Sequence, residues 1–221
     1  VTYSPDGAHI ASAGADGTLR QDHAVTGRQL RRLEGHVGYV NSAVYSRDGT
    51  RILSAGADGT VRVWDAASGE QLSVLEAHEG SVSSAAYSPD GARIVSAGDD
   101  GTVRVWDTAT GREHRTLDIP ALVVSRVTFS PDGTRILGVV AAYSAQLWDA
   151  ATGESVDAFG SDECPNLILA SAAYSQDGMH IVTGGPYLCT WDAATGELMR
   201  SIVAPTLLRS VAYSPDGTRI V

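Results

Sequence analysis

The sequence predicts an all-β chain made of short four-stranded antiparallel sheets. Three observations lead to this fold class. A pattern of an aromatic residue, Ser, a variable residue, Asp and Gly recurs six times, in steps of 42, 42, 42, 45 and 39 residues, with its serines at Ser4, Ser46, Ser88, Ser130, Ser175 and Ser214. The segments between these marks alternate apolar and polar residues and are rich in β-branched side chains. No segment has a sustained helical period, so each repeat corresponds to one small sheet.

The second repeat shows how the elements follow one another. It predicts four strands, at residues 39–45, 51–55, 60–64 and 70–75. Turns separate them at 46–49, 56–59 and 65–69. Asp and Gly suit these turns, because Asp accepts hydrogen bonds from nearby backbone amides and Gly tolerates a left-handed φ.

The composition excludes several classes of function. All 16 positively charged residues are Arg, since the sequence has no Lys, and this excludes a Schiff-base lysine, a lysine base and a P-loop lysine. A net charge of −10 argues against nucleic-acid binding. The longest apolar stretch, residues 137–143, is too short to span a bilayer, so no membrane association is expected.

The cysteines and histidines form no pattern that predicts a bound metal. Cys164 and Cys189 make neither a C-x-x-C pair nor a disulfide framework, and no signal peptide is visible at Val1. A reducing, cytoplasmic setting fits this pattern, with Cys164 as a free-thiol sensor the less favoured alternative to an ordinary cysteine. The six histidines lack metal-ligand spacing, so no metal and no cofactor are expected.

Motifs at fixed spacing within the repeat carry a resemblance. Gly35-His36 is followed about 28 residues later by Trp64-Asp65, and Asp58-Gly59-Thr60 lies between them. In this respect the chain resembles the WD-repeat (Trp-Asp) β-propeller family. The resemblance implies that the sheets are blades around a central channel, usually seven of them. The near-identical copies resemble the tandem arrays of fungal and bacterial NACHT-type or kinase-linked WD-repeat proteins.

The resemblance also implies a hydrogen-bonded tetrad of His, a strand Ser or Thr, the turn Asp and the Trp. Two repeats carry all four members: His36, Ser54, Asp58 and Trp64 in the second, and His78, Ser96, Asp100 and Trp106 in the third. Because the set recurs in each well-formed repeat, we interpret it as structural and not as a Ser-His-Asp catalytic triad. With no other enzyme signature in the sequence, the chain is predicted to be non-enzymatic.

The remaining repeats depart from the tetrad pattern. The residues found in its places are Ser12, Asp16 and Asp22 in the first repeat; Pro120, Gly138, Ala142 and Trp148 in the fourth; and Thr183, Tyr187 (at the turn) and Trp191 in the fifth. Blades four and five are therefore expected to be looser, or to be held by apolar packing of Ile119, Leu122, Val123, Val139 and Val140.

The resemblance further implies a binding face. In WD-repeat propellers the loop before the first strand and the loop between strands two and three open on one face. Candidate residues in these loops are Tyr39, Asn41, Ser81, Ser83, Asp99, Ser125 and Arg209, with Val123 and Leu207 in the same slots. Tyr39 is the strongest candidate, because tyrosine offers a large contact area with a polar tip. The inserted loop at 160–166 interrupts the repeat and is a second candidate.

Two functions remain open. The first is a non-enzymatic scaffold or recognition module that docks a protein or peptide as part of a larger signalling protein. The alternative is a small-ligand or glycan-binding, lectin-like propeller, which needs the same polar residues at every face slot, whereas Tyr39, Ser81 and Val123 differ. We expect residues 1–221 to form a single domain of five repeats and a partial sixth, an incomplete ring or a fragment. Its exposed sheet edges would permit self-association.

Overall fold

The computed structural model of the chain describes residues 1–119, 123–140, 144–159, 169–214 and 216–221. Over these residues the chain is all β, with 20 strands in five four-stranded antiparallel sheets and no helix. The predicted fold class is confirmed, and we call each sheet a blade. The chain divides into two compact units, Val1–Ala121 and Leu122–Val221.

The first unit contains three blades, in each of which consecutive strands are hydrogen-bonded neighbours. Blade one consists of β1 (Thr2–Tyr3), β2 (His9–Ala13), β3 (Thr18–His23) and β4 (Gln29–Glu34). Blade two consists of β5 (Val40–Tyr45), β6 (Arg51–Gly56), β7 (Thr60–Asp65) and β8 (Gln71–Glu76). Blade three consists of β9 (Val82–Tyr87), β10 (Arg93–Gly98), β11 (Thr102–Asp107) and β12 (Glu113–Asp118).

The second unit contains two blades of the same order and a short hairpin. Blade four consists of β13 (Val124–Phe129), β14 (Arg135–Val140), β15 (Ser144–Asp149) and β16 (Ser155–Phe159). Blade five consists of β17 (Ser171–Tyr174), β18 (His180–Gly184), β19 (Tyr187–Asp192) and β20 (Leu198–Val203). After β20, Tyr213 and Ile220 form an isolated antiparallel bridge, and we call the segment 213–220 the terminal hairpin.

The recurring Ser-x-Asp-Gly turn fixes the first hairpin of each blade. In blade two the Ser46 hydroxyl donates to Asp48 Oδ1 at 2.6 Å, and the amide of Thr50 donates to the same oxygen at 3.0 Å. Gly49 closes the turn with a φ of 72°, which an L side chain rarely adopts. The Ser46 hydrogen bond is the main reason that the pKa of Asp48 falls to about 2. The repeat register therefore rests on a local hydrogen-bond pattern.

Consecutive blades of a unit pack face to face through apolar side chains. Leu19 and Leu33 of blade one lie against Ile52 and Trp64 of blade two. The same positions are filled one blade later, where Val61 and Leu75 meet Ile94 and Trp106. In the second unit, Leu147 and Phe159 of blade four meet Ile181 and Trp191 of blade five. Burial of these large side chains supplies the apolar stabilisation of each unit.

In blade five the prediction that Tyr187 lies in the turn between the second and third strands is wrong. Tyr187 does not lie in the turn between strands two and three, because it is the first residue of β19 and pairs with Val203. Thr183 and Trp191 are 8 residues apart, against 10 for Ser54 and Trp64, so this hairpin is two residues shorter. The turn consists of residues 185–186.

The apolar residues proposed to hold the later blades divide into two groups. Ile119, Val139 and Val140 are buried, as expected. Val123 was expected to pack but is 47% exposed, because it precedes β13 and does not lie in the sheet. Leu122 lies outside the described residues.

Candidate functional site

The four predicted tetrad residues of blade two lie in one chain of hydrogen bonds. The Trp64 indole N–H donates to Ser54 Oγ at 2.8 Å. Ser54 Oγ lies 2.8 Å from His36 Nε2, and His36 Nδ1 lies 3.0 Å from Asp58 Oδ1. These partners select the tautomer in which Nδ1 donates to the carboxylate and Nε2 accepts from the serine hydroxyl. The chain thus joins the loop before β5, the strand β6, the following turn and the strand β7.

Blade three repeats this arrangement. The Trp106 indole N–H donates to Ser96 Oγ at 3.0 Å, and Ser96 Oγ lies 2.9 Å from His78 Nε2. His78 Nδ1 lies 2.9 Å from Asp100 Oδ1. The structure therefore brings together all eight residues of the two complete tetrads.

Burial and hydrogen bonding set the charges within each tetrad. Burial would raise the pKa of Asp58, but hydrogen bonds from the Val37 amide, His36 and Thr60 outweigh it and bring the pKa to about 2. Burial lowers the pKa of His36, against the opposing effect of Asp58. Both effects recur in blade three, where the pKa of Asp100 is about 2 and burial lowers that of His78. Near neutral pH the tetrads therefore contain a carboxylate and a neutral imidazole.

Two further residues belong to this network, although the sequence analysis did not include them. The Thr60 hydroxyl donates to Asp58 Oδ1 at 2.8 Å, and Arg62 Nη2 lies 3.4 Å from Asp58 Oδ2. Thr102 and Arg104 take the same roles around Asp100. The signal was present in the sequence, because Asp-Gly-Thr-x-Arg occurs at both turns.

The incomplete tetrads keep only parts of this network. In blade five the Trp191 indole N–H donates to Thr183 Oγ1 at 2.9 Å. In blade four a Cβ atom added to Gly138 would lie 2.8 Å from Trp148 Cζ3, so the indole fills the space of a serine side chain. In blade one Asp16 accepts from Thr18 and pairs with Arg20 at 2.6 Å. Pro120 and Ala142 lie outside the described residues.

The Ser–His–Asp portion of the tetrad has the distances of a catalytic triad but lacks the access that a triad needs. Ser54 is 1% exposed, and its oxygen already accepts the Trp64 N–H. A substrate carbonyl must approach the nucleophilic oxygen, and here the indole occupies that approach. The geometry is that of a buried polar network whose members satisfy one another.

The predicted binding face has its clearest form in the first unit. Tyr39 is 62% exposed, and Val37, two residues earlier in the same loop, is 76% exposed. Asp99 is also exposed, in the turn between β10 and β11. Asn41 serves another purpose, because its amide Nδ2 donates to Ser81 Oγ at 2.8 Å and to the Val82 carbonyl at 2.9 Å. These two bonds tie the first strand of blade two to the start of the first strand of blade three.

The other predicted face residues are divided between the two units. The Ser83 hydroxyl donates to the Ala97 carbonyl at 3.1 Å, and the Ser125 hydroxyl donates to the Val139 carbonyl at 3.5 Å. Both hydroxyls therefore bond the adjacent strand of their own blade. In the second unit Arg209 is exposed and Leu207 is 43% exposed.

The prediction that the cysteines form no disulfide is wrong. Cys189 is buried and disulfide-bonded, whereas no disulfide was predicted. It occupies the strand position of Arg62 and Arg104, but as a small uncharged residue it packs inside the core of the second unit. The sequence analysis inferred a reducing setting from unpaired cysteines, and the disulfide bond of Cys189 removes that argument. Cys164 and the inserted loop at 160–166 lie outside the described residues.

Metal-binding clusters and membrane-spanning helices are absent from the described part of the chain. It contains no group of three or more His, Cys, Asp or Glu side chains placed to hold a metal ion. Nor does it contain a helix long and apolar enough to cross a membrane.

Taken together, the meandering blades and their buried tetrads define a class of repeat protein in which each sheet is a propeller blade. The chain matches the WD domain, G-beta repeat (WD40) over residues 1–21, 27–65 and 69–107, all within the first unit. The first unit therefore contains three segments that match the WD40 repeat. WD40 repeats generally mediate protein–protein interactions, and the family is generally non-enzymatic. No curated protein matches the chain.

Proposed function

We propose that this chain is a non-enzymatic interaction module that binds a peptide segment of a partner protein on the loop face of its first unit. The observation that carries the proposal is the exposure of Tyr39 and Val37 in one short loop. Exposed aromatic and aliphatic side chains at a loop tip are the usual anchors of a protein interface.

The loop that carries Tyr39 is held firmly, which lowers the entropy cost of binding. The Ala57 amide donates to the Tyr39 carbonyl at 2.8 Å, and the Val37 amide donates to Asp58 Oδ2 at 3.0 Å. From blade one, Gly17 approaches so closely that an added Cβ atom would lie 2.9 Å from the His36 carbonyl oxygen. The tetrad therefore positions the anchor without contacting the partner.

The charges around the anchor define the chemistry of the partner. Glu79 and Asp99 are exposed on the neighbouring loops of blade three. The arginines of the same region are already paired with carboxylates, Arg62 with Asp58 and Arg104 with Asp100. The uncompensated charge is therefore acidic, and a peptide with Arg or Lys beside an apolar residue complements it.

The alternative of a small-ligand or glycan site receives no support from a repeated pocket. Such a propeller would present similar groups in each blade. Here the slot of Tyr39 holds Ser81 in blade three and Val123 in blade four, and Ser81 accepts the Asn41 amide.

A peptide-display library selected on the full chain tests the proposal. We expect the recovered peptides to be rich in Arg or Lys next to an aromatic or aliphatic residue. Tyr39→Ala should weaken their binding about tenfold, as loss of an anchor does, and Asp99→Asn should weaken it less. Val156→Ala, which changes an exposed apolar residue of blade four, is the matched control. Peptides that bind Tyr39→Ala as tightly as the unaltered chain would contradict the proposal.

A further inference from the structure

The outer strand of blade two, β8, has a free edge. In the described part of the chain β8 pairs with β7 on one side, and no strand pairs with it on the other. Just after β8, the Ala77 amide donates to the Gly59 carbonyl at 3.0 Å, on the side of β7. Because the backbone groups of alternate residues point to opposite sides of a strand, those of Val74 point away from β7. The edge therefore offers a backbone donor and acceptor to a further strand.

One position at the middle of each outer strand separates β8 from the other four. This position lies opposite the fourth residue of the third strand, and in blade two it is Ser73, opposite Val63. In every other blade the residue at this position is charged. These residues are Arg31, Arg115, Asp157 and Arg200, which lie opposite Gln21, Val105, Leu147 and Thr190.

A charge at this position prevents two copies of an outer strand from pairing. When two identical strands pair antiparallel about one residue, that residue lies opposite itself. Two copies of β4 paired about Arg31 would therefore place two guanidinium groups face to face, and like charges directly opposite one another are destabilising. Charged residues protect sheet edges in this way. Ser73 carries no charge, so β8 lacks this protection.

The side chains of β8 complement themselves in the same register. Leu72 is 51% exposed and Val74 is half-buried, and the two lie on one face of the strand. In antiparallel pairing about Ser73, Leu72 of each copy lies opposite Val74 of the other, and Gln71 lies opposite Leu75. Cross-strand apolar pairs stabilise a sheet. The paired residues 71–75 include no charged side chain.

We propose that β8 pairs antiparallel with β8 of a second copy of the chain, about a two-fold axis at Ser73. The contact is isologous, because the same strand serves on both sides. Backbone hydrogen bonds along the edge supply the affinity, and the charges on the other outer strands select β8 as the strand that pairs. The contact does not include Val37 or Tyr39, so it is independent of the loop face.

Sedimentation equilibrium of the full chain tests the proposal. We expect a monomer–dimer equilibrium at concentrations up to about 1 mM, where even a weak dimer is populated. Ser73→Arg introduces the residue that blades one, three and five have at this position, and it should weaken the dimer at least about tenfold. Thr116→Arg is the matched control, because it adds the same charge at an exposed position of another outer strand, β12. This control should dimerise like the unaltered chain.

A mixture of two variants separates a disrupted contact from a disrupted fold. Ser73→Arg and Ser73→Glu should each be monomeric, because each places like charges at the two-fold axis. Mixed in equal amounts, they should form a heterodimer, because opposite charges then face one another. Glu70 and Glu76 flank the paired residues, so added NaCl should strengthen the dimer of the unaltered chain.

Several outcomes would overturn the proposal. One is a chain that stays monomeric at every concentration, and another is a dimer that neither Ser73 variant weakens. A mixture of the two variants that stays monomeric would exclude pairing about Ser73. A monomeric chain that binds a peptide of residues 70–77 would assign the edge to an extended peptide instead of a second copy. Tyr39→Ala should dimerise normally, which separates this contact from the loop face.

Discussion

Trp64 and Ser54 share a buried hydrogen bond of 2.8 Å, and the same serine oxygen lies 2.8 Å from His36 Nε2. Ser54 is therefore the junction at which the third strand, the second strand and the preceding loop of blade two meet. A hydroxyl suits this place because it can accept from the indole and donate to the imidazole at the same time.

Removal of this junction should destabilise the first unit. Ser54→Ala leaves the Trp64 N–H and His36 Nε2 buried without a partner, at a cost of about 1–3 kcal/mol for each unsatisfied group. We expect the free energy of urea unfolding to fall by at least the lower value. Ser73→Ala on the outer strand β8 is the control and should change it little. Equal stability of the two variants would show that the tetrad contributes nothing.

The stability of the first unit should decrease as the pH falls below about 6.5, the ordinary pKa of histidine. Burial lowers the pKa of His36 and of His78 in the folded chain, so below that pH the unfolded chain binds more protons than the folded chain. A second loss is expected between about pH 4 and pH 2, because Asp58 and Asp100 have a folded pKa of about 2.

Urea unfolding at pH 7.5 and pH 5.5 measures the histidine effect. The double variant His36→Gln, His78→Gln should be less stable at both pH values, but its stability should depend less on pH. His114→Gln, an exposed position on β12, should keep the dependence of the unaltered chain. A double variant with the same pH dependence as the unaltered chain would assign the effect to other groups.

Introducing the missing serine into blade four should lower the stability of the fold. By sequence, Gly138→Ser supplies the tetrad member that Trp148 lacks. In the structure the added Cβ atom would meet the indole ring at 2.8 Å, so the ring would have to move within a packed core. We expect a loss of about 1–3 kcal/mol in thermal unfolding, as for other overpacked sites. A gain in stability would mean that the ring can move aside and use the new hydroxyl.

The rates of amide hydrogen exchange should differ between blades two and three and blades four and five. The complete tetrads tie loop, strand and turn together in blades two and three, whereas blade five keeps the Trp191–Thr183 bond of this network and Trp148 of blade four faces a glycine. We expect the amides of β6 and β7 to exchange more slowly than those of β14 and β15 in native-state exchange by mass spectrometry. Earlier opening of blades two and three would contradict this expectation.

The repeat made most of the fold predictable, because its turns act locally. The Ser46–Asp48 bond and the φ of Gly49 involve only nearby residues, and the predicted second strand at 51–55 differs from β6 by one residue at its end. The shortened hairpin of blade five was missed because the turn was placed by its distance from Thr183. Its distance to Trp191 would have shown the deletion.

The binding face was less predictable, because it depends on which loops are neighbours in space. The sequence places Tyr39 and Asn41 in the same candidate face and favours Tyr39 only for the larger contact area of its side chain. Only the structure shows that Asn41 bonds Ser81 of the next blade while Tyr39 remains 62% exposed. Sequence spacing predicts the polar contacts within a blade, but the contacts between blades follow from packing.

Stability and peptide binding measured on the same two variants test the central claim, that the tetrad supports the blades while the loop face binds the partner. With a peptide selected on the full chain, Ser54→Ala should unfold at lower urea yet bind normally under conditions where it is folded. Tyr39→Ala should unfold like the unaltered chain and lose about tenfold in affinity. Unchanged affinity of Tyr39→Ala, or lost affinity of folded Ser54→Ala, would contradict this account.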